Sequence, residues 1–226
     1  MKIFGEFWGL TTEETAKLLR IGAISVREFK RRQKVMGIEE SMYEIGMMLE
    51  GTALLESTNM EAQRRILDFY EAGAIFGRSS VRNPDRGVYA VVSQTACRVA
   101  FLHEKRLPES NLLLRHGTGN LLHAMAESNR RMLMHADVLG QRSLRQKLLS
   151  FFGYLNGKNS GEAVTLPFSL TDCADYLAVD RSAMMRELKK MKDEGIVQLQ
   201  GRGKVTVTVR PGPAGHREKH KTGPEP

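Results

Sequence analysis

Residues 169–209 constrain the chain more than any other stretch. Met184, Leu188 and Met191 recur at steps of four and three, so they form one stripe of a helix from about Arg181 to Glu194. Asp180 suits the N-cap of that helix, and Gly195 suits the position just past its end. Upstream, Ser169 with Asp172 three positions on is an acidic variant of a capping box. Cys173 and Leu177 then share a helical face, and the small Ala174 lets another helix cross close by. Ala178-Val179-Asp180 leaves room only for a turn between the two helices. Downstream, Val205, Val207 and Val209 alternate with Thr206 and Thr208, a strand pattern, behind the turn Gly201-Arg202-Gly203-Lys204.

Two short helices, a tight turn and a β-hairpin are the layout of a winged helix-turn-helix. The face of the second helix turned away from its apolar stripe carries Ser182, Met185, Arg186 and Lys189, with Arg181 on the first turn. It offers guanidinium, hydroxyl and ammonium donors, and arginine is shaped to bridge guanine O6 and N7. Arg202 and Lys204 on the hairpin turn suit phosphate contact, and Ser169 at the entry joins the same set. A charged helix face alone is usually a solvated face. The turn, the small residue before it, the cationic face and the basic hairpin together point to double-stranded DNA as the partner.

Charge agrees. The chain carries a formal net charge of +8, and from Gln141 onward there are 15 Lys plus Arg against 9 Asp plus Glu. A basic part joined to a near-neutral part fits a nucleic-acid module attached to something else. The two cysteines, Cys97 and Cys173, sit in separate apolar patterns and read as buried free thiols. Two cysteines exclude a four-cysteine zinc or iron–sulfur site within one chain. No apolar run reaches membrane-spanning length and no signal-peptide core opens the chain, so a cytoplasmic protein is expected. The polar, Pro- and Gly-rich stretch after Val209 reads as a disordered tail, residues 211–226.

The first two-thirds have another texture. Thr11 and Glu14 form a capping box that starts a short helix through Ala16, Leu18 and Leu19. From Ile24 to Leu102, short runs rich in Val, Ile, Tyr, Phe and Met are broken by glycines at intervals that suggest a β-sandwich or barrel. Tyr43–Leu55, Arg65–Tyr70 and Val88–Leu102 are examples, and the basic run Arg27–Lys34 is placed on an early strand. A helix follows over about Pro108–Leu139, with Leu114, Leu121, Met125, Ser128, Met132, His135 and Leu139 in one stripe. Gly117 and Gly119 would each cost such a helix about 1 kcal/mol relative to alanine, so packing from outside must hold it. That helix can lie on its own domain or pair with a symmetry mate as a coiled coil. A palindromic operator needs two recognition helices, which favours the homodimer. A second helix, Leu144–Leu155, leads into the C-terminal module.

In this order the chain resembles the Crp/Fnr family of bacterial transcription regulators over roughly residues 20–209. The resemblance rests on Gly46-Met47-Met48-Leu49-Glu50-Gly51, on Glu71-Ala72-Gly73-Ala74-Ile75-Phe76-Gly77, on Thr95–Ala100, and above all on Leu166–Ser169 with Ala174–Leu177 and Arg181-Ser182. It implies an α+β fold: a jelly-roll sensor domain (1–107), a dimerisation helix (108–140) and a winged helix-turn-helix (141–210). It implies that Arg181, Ser182 and Arg186 read bases, and it admits RNA polymerase as a further partner. Many members carry Glu where this chain has Ser182, so a different operator is expected. Members that bind cyclic AMP have Gly-Glu after the Phe and an Arg-Ser pair for the phosphate. Here Arg78 follows Gly77, and Gly87-Val88 stands where Arg-Ser would be, so another small effector is expected. It is placed in the β-sandwich near Phe69 to Arg78 and the interdomain helix, with Phe76, Gly77, Arg78, Ser79 and Tyr89 as the candidate residues. Haem-binding members make His103, His116, His123 and His135 possible ligands, although a histidine on a helix is more often structural.

Two other functions fit the sequence less well. A cupin-like jelly-roll enzyme needs clustered His and carboxylate ligands on strands, yet no histidine precedes His103 and no His-x-His occurs. Neither a nucleophile elbow nor a phosphate-cradling glycine loop is present. A cyclic-nucleotide-binding regulatory subunit would not need the DNA module. The expectation is therefore a non-enzymatic, ligand-controlled DNA-binding regulator without a metal or resident cofactor.

Overall fold

The computed structural model describes residues 1–37, 44–77, 88–107, 112–156, 163–200 and 206–209. It divides into two compact units, Met1–Leu139 and Gly140–Pro226.

The first unit is built on eight strands: β1 (Ile24–Phe29), β2 (Lys34–Gly37), β3 (Glu44–Glu50), β4 (Ala53–Thr58), β5 (Arg64–Tyr70), β6 (Ile75–Gly77), β7 (Val88–Ser93) and β8 (Cys97–His103). They form two four-stranded antiparallel sheets, ordered β1-β8-β3-β6 and β2-β7-β4-β5. First pairs with eighth, second with seventh, third with sixth and fourth with fifth, which is the nested pairing of a jelly roll. The side-chain period of two gives the first sheet two apolar faces. Met48, Phe76, Val99 and Phe101 point into the core between the sheets, with Tyr70 and Val91 from the second sheet. Met47, Leu49, Ala100 and Leu102 face the other way and are covered by helices.

Those covering helices are α1 (Lys2–Trp8) and α2 (Thr12–Arg20). The Thr11–Glu14 capping box forms in both directions, with Glu14 N–H donating to Thr11 Oγ1 and Thr11 N–H to Glu14 Oε2. Helix α1 has no sequence counterpart in the reading above. It seats Phe4 and Trp8 on the sheet. The basic run Arg27–Lys34 is not one strand: Arg32 turns at φ 64 between β1 and β2 and donates its N–H to Ser93 O.

Helix α3 (Leu112–Gly140) follows a single turn of 3-10 helix, Glu104–Arg106. Gly117 is buried in it because the Trp8 ring lies where a side chain would be, 2.4 Å from an ideal Cβ. Asn120 Nδ2 donates to Phe7 O at 2.7 Å, a second tie to α1. The expected support of this glycine-bearing helix from outside is therefore α1.

The second unit contains α4 (Leu144–Asn156), β9 (Val164–Thr165), α5 (Leu170–Leu177), α6 (Arg181–Asp193), β10 (Val197–Gln200) and β11 (Thr206–Val209). The strands form a three-stranded sheet, β10-β11-β9, so the expected hairpin gains a third strand. Its core is aromatic: Phe151 stacks on Phe168 with ring centroids 5.8 Å apart, and Tyr176 packs against both. Cys97 and Cys173 are free and buried, and burial pushes the Cys173 thiol up to about 12. Among the described residues no helix is long and apolar enough to cross a membrane.

Candidate functional site

The turn between α5 and α6 is three residues, as the sequence suggests. Ala178 takes the left-handed conformation at φ 51 and ends α5, while Asp180 caps α6 by accepting from Ala183 N–H at 2.8 Å. Ser169 caps α5: its Oγ accepts from Asp172 N–H at 3.1 Å and donates to Asp172 Oδ2 at 2.7 Å. Lys147 Nζ donates to Leu177 O at 3.4 Å, placing a cation at the carbonyl end of α5, where the helix dipole favours it.

Helix α6 divides cleanly. Met184, Leu188 and Met191 are wholly buried, and Arg181, Ser182, Met185, Arg186 and Lys189 are all exposed. The structure thus brings together on one face the five α6 residues singled out from the sequence, with Ser169 half-buried at the start of α5. Arg202 and Lys204 lie outside the described residues. Asp180 Oδ1 also accepts from Ser182 Oγ at 2.5 Å. These hydrogen bonds, Ser182 first and then the Ala183 N–H, hold the Asp180 carboxyl below its ordinary range.

Behind the exposed face sits an ion-pair hub that the sequence reading missed. Arg145 of α4 donates through Nε to Glu187 at 2.6 Å, and through Nη1 and Nη2 to Glu194 at 2.6 and 2.8 Å. The hydrogen bonds that Arg145 donates to Glu194 and then to Glu187 raise its pKa further, and the Glu194 carboxyl is held low by the same contact. The signal was present: Glu187 and Glu194 are seven apart, hence two turns along one face, and call for one shared cation.

The residues expected around an effector have other duties. Phe76 is buried between the sheets, its ring centroid 5.1 Å from that of Tyr70. Gly77 has φ 110, and a Cβ there would lie 2.4 Å from Glu44 O. Tyr89 is half-buried on β7, in the sheet opposite β6. Arg78 and Ser79 lie outside the described residues. A cavity of about 550 Å³ opens on the outer face of the first sheet, lined by Gly73, Ala74 and Ile75 from the expected Phe69–Arg78 region and by α3. Ile3, Phe7, Met47 and Ile75 line its apolar side, and Asn120, His123, Glu127 and Arg131 of α3 line its polar side. Arg131 is held by a bidentate pair, Nε to Asp68 Oδ1 at 3.0 Å and Nη2 to Oδ2 at 3.1 Å. Burial works against the Arg131 charge, and the bonds to Asp68 more than offset it.

Two other histidines among the described residues are held by hydrogen-bond partners. His103 Nδ1 lies 3.0 Å from Glu44 Oε1 with Nε2 2.9 Å from Ser25 Oγ, and His135 Nδ1 lies 3.1 Å from Leu67 O. The His116 side chain lies outside the described residues. Among the described residues no group of three or more His, Cys, Asp or Glu could hold a metal ion.

The α3 stripe read from the sequence splits in two. Leu121, Ser128 and His135 turn inward, whereas Met125, Met132 and Leu139 are exposed; the Leu114 side chain lies outside the described residues. The exposed set belongs to a longer row: Thr118, Leu122, Met125, Asn129, Met132, Ala136 and Leu139 alternate steps of four and three. That 3.5-residue repeat is the seam of a coiled coil. Leu122, Met125, Met132 and Leu133 are each 60% exposed or more.

A jelly roll, a long helix and a helix-turn-helix whose second helix offers a polar, cationic face are the parts of a DNA-binding regulator. Residues 146–212 match the family model of the Crp-like helix-turn-helix domain. The chain is 23% identical over 208 residues to the transcriptional activator protein FnrL of Cereibacter sphaeroides, covering 87% of this chain and 81% of that one. Among solved structures it is similar to FixK2 from Bradyrhizobium japonicum, with TM-score 0.64 and 18% identity over 83% of this chain and 93% of the other. A CooA variant from Carboxydothermus hydrogenoformans gives TM-score 0.68 and 12% identity, covering 85% and 86%. Residues 146–212 thus match a Crp-like helix-turn-helix domain, and over most of its length the chain is similar to a transcriptional activator and to solved structures of the same fold, which supports a DNA-binding regulator.

Proposed function

We propose that the protein works as a homodimer on a palindromic operator, placing one α6 in the major groove of each half-site, under control of a small effector other than cyclic AMP. The observation that carries this reading is the division of α6, with an apolar stripe wholly buried and Arg181, Ser182, Met185, Arg186 and Lys189 all exposed. Arg181, Arg186 and Lys189 supply the base-reading and phosphate-neutralising groups. Ser169 joins them at the entry, and Arg202 and Lys204, expected from the sequence to contact phosphates, complete the set. The exposed 3.5-residue row on α3 supports pairing with a second copy, and two α6 helices about one helical turn of DNA apart match an inverted repeat.

The outer cavity is the best-formed seat for the effector among the described residues. Its volume of about 550 Å³ lies within the range of small-molecule sites, and it combines an apolar floor with a few convergent polar groups. It joins α1 to α3, so a ligand there would bias the helix that carries the seam. The interior near Phe76 is packed by aromatic rings, which speaks against a nucleotide between the sheets.

Selection of duplexes from a random pool tests the main reading. An inverted repeat with half-sites one turn apart is expected, bound by two chains. An enriched pool without dyad symmetry, or a one-chain complex, would sink it. Cyclic AMP at millimolar concentration should leave the melting temperature unchanged, and a saturable rise would overturn that part.

A further inference from the structure

The hydroxyl of Ser182 is exposed on the reading face, yet its only proton is already engaged. Ser182 Oγ donates to Asp180 Oδ1 at 2.5 Å, the short end of the range for an O–H bonded to a carboxylate. The carboxylate is fixed independently, because the same oxygen accepts from Ala183 N–H at 2.8 Å as the helix cap. It also sits at the positive end of the α6 dipole, which favours the ionised form.

We infer that Ser182, held by Asp180, meets the major groove as an acceptor only and selects a base that offers an amino group there, cytosine N4 or adenine N6. The inference rests on the DNA-reading role proposed above. A serine normally both donates and accepts, which makes it a poor discriminator. Here, donating to guanine O6 or thymine O4 would break a charge-assisted bond of roughly twice the neutral strength. It would also leave the Asp180 charge facing a partially negative carbonyl oxygen. Accepting from an amino group costs nothing of that kind, because the two lone pairs of Oγ stay available and the carboxylate makes the oxygen more basic. Arg186 stands four positions along the same exposed face. The acceptor-only serine and the guanine-seeking arginine can therefore divide one G·C pair, or two adjacent pairs, between them.

The test uses the full chain and its selected operator. Ser182→Ala first identifies the base pair whose discrimination depends on Ser182. At that pair the amino group is then removed, cytosine being replaced by 2-pyrimidinone or adenine by purine, which also tells the two bases apart. Wild type should lose roughly tenfold in affinity on losing the amino group. Asp180→Asn keeps a capping oxygen but removes the charge, and should shrink that difference below about threefold with the rest of the operator preference intact. Circular dichroism and melting temperature check both variants; if Asp180→Asn unfolds, Ser182→Ala and the base analogues decide alone. A wild-type preference for guanine or thymine at that pair, a Ser182→Ala variant that alters no pair, or full amino selectivity in a folded Asp180→Asn would each overturn the inference and leave the DNA-reading role standing. Wild type that prefers no duplex would remove both together.

Discussion

Helices α3 and α6 are built inside out relative to each other. Helix α6 buries Met184, Leu188 and Met191 and exposes arginine, lysine and serine. Helix α3 turns Asn120, Arg131 and His135 toward its own domain, each hydrogen-bonded there, and exposes Leu122, Met125, Met132 and Leu133. An amphipathic helix normally buries its apolar stripe and gives its polar face to water. Helix α6 obeys, and its outward face suits a polyanion. Helix α3 departs from the rule, and an apolar row left facing water at a 3.5-residue repeat suits a second apolar row. The face each helix withholds from its own core indicates the chemistry of what it meets.

The sharpest way to break this contrast is to attack the polar side of α3. Asp68 is almost fully buried, so Asp68→Ala leaves the Arg131 guanidinium half-buried without its carboxylate. A loss of about 3–5 kcal/mol in urea unfolding is expected, and a change within 0.5 kcal/mol would show the pair to be incidental. Next comes the apolar side. The double variant Met125→Glu/Met132→Glu should raise the dimer dissociation constant by about 100-fold or more in sedimentation, since burying each Met is worth about 1.5–3 kcal/mol. Monomer stability should hardly move, because both side chains are exposed. On α6, Arg186→Ala should cost about 1–3 kcal/mol on the selected operator and relax one base pair. An unchanged preference there would mean that another face reads the bases. The smallest effect belongs to Lys204→Ala, expected to weaken binding to all sequences alike and lower the salt slope by about 1. A sequence-selective loss would give Lys204 a reading role.

These two helices also mark the limits of the sequence. Helix α6 was legible almost to the residue because its caps, Asp180 and Gly195, and its stripe are local signals. The jelly roll was legible as a class, since strand-like runs and glycine turns are local too. Its pairing was not, because Ile24 meets Leu102 across most of the domain and no spacing reports that. The α3 stripe was merged from two faces, since positions such as 121 and 125 are both compatible with one broad helical face until a domain packs on one of them. Helix α1 went unseen: it is seven residues long, with no side-chain cap and a glycine inside. Without α1, neither the role of Gly117 nor the outer cavity was visible, because each depends on residues 3–8 meeting residues 117–131. Of the region expected around an effector, Phe76 packs between the sheets and Gly77 against the β3 backbone, while Gly73, Ala74 and Ile75 border the outer cavity beside α3.

The Arg145 hub has an evolutionary consequence. The reading helix is tied to a neighbouring helix by a guanidinium that grips Glu187 and Glu194. Substitutions at those three positions can re-aim α6 while every side chain on its reading face stays the same. Regulators with identical reading residues can thus diverge in target choice through changes that no comparison of those residues would reveal.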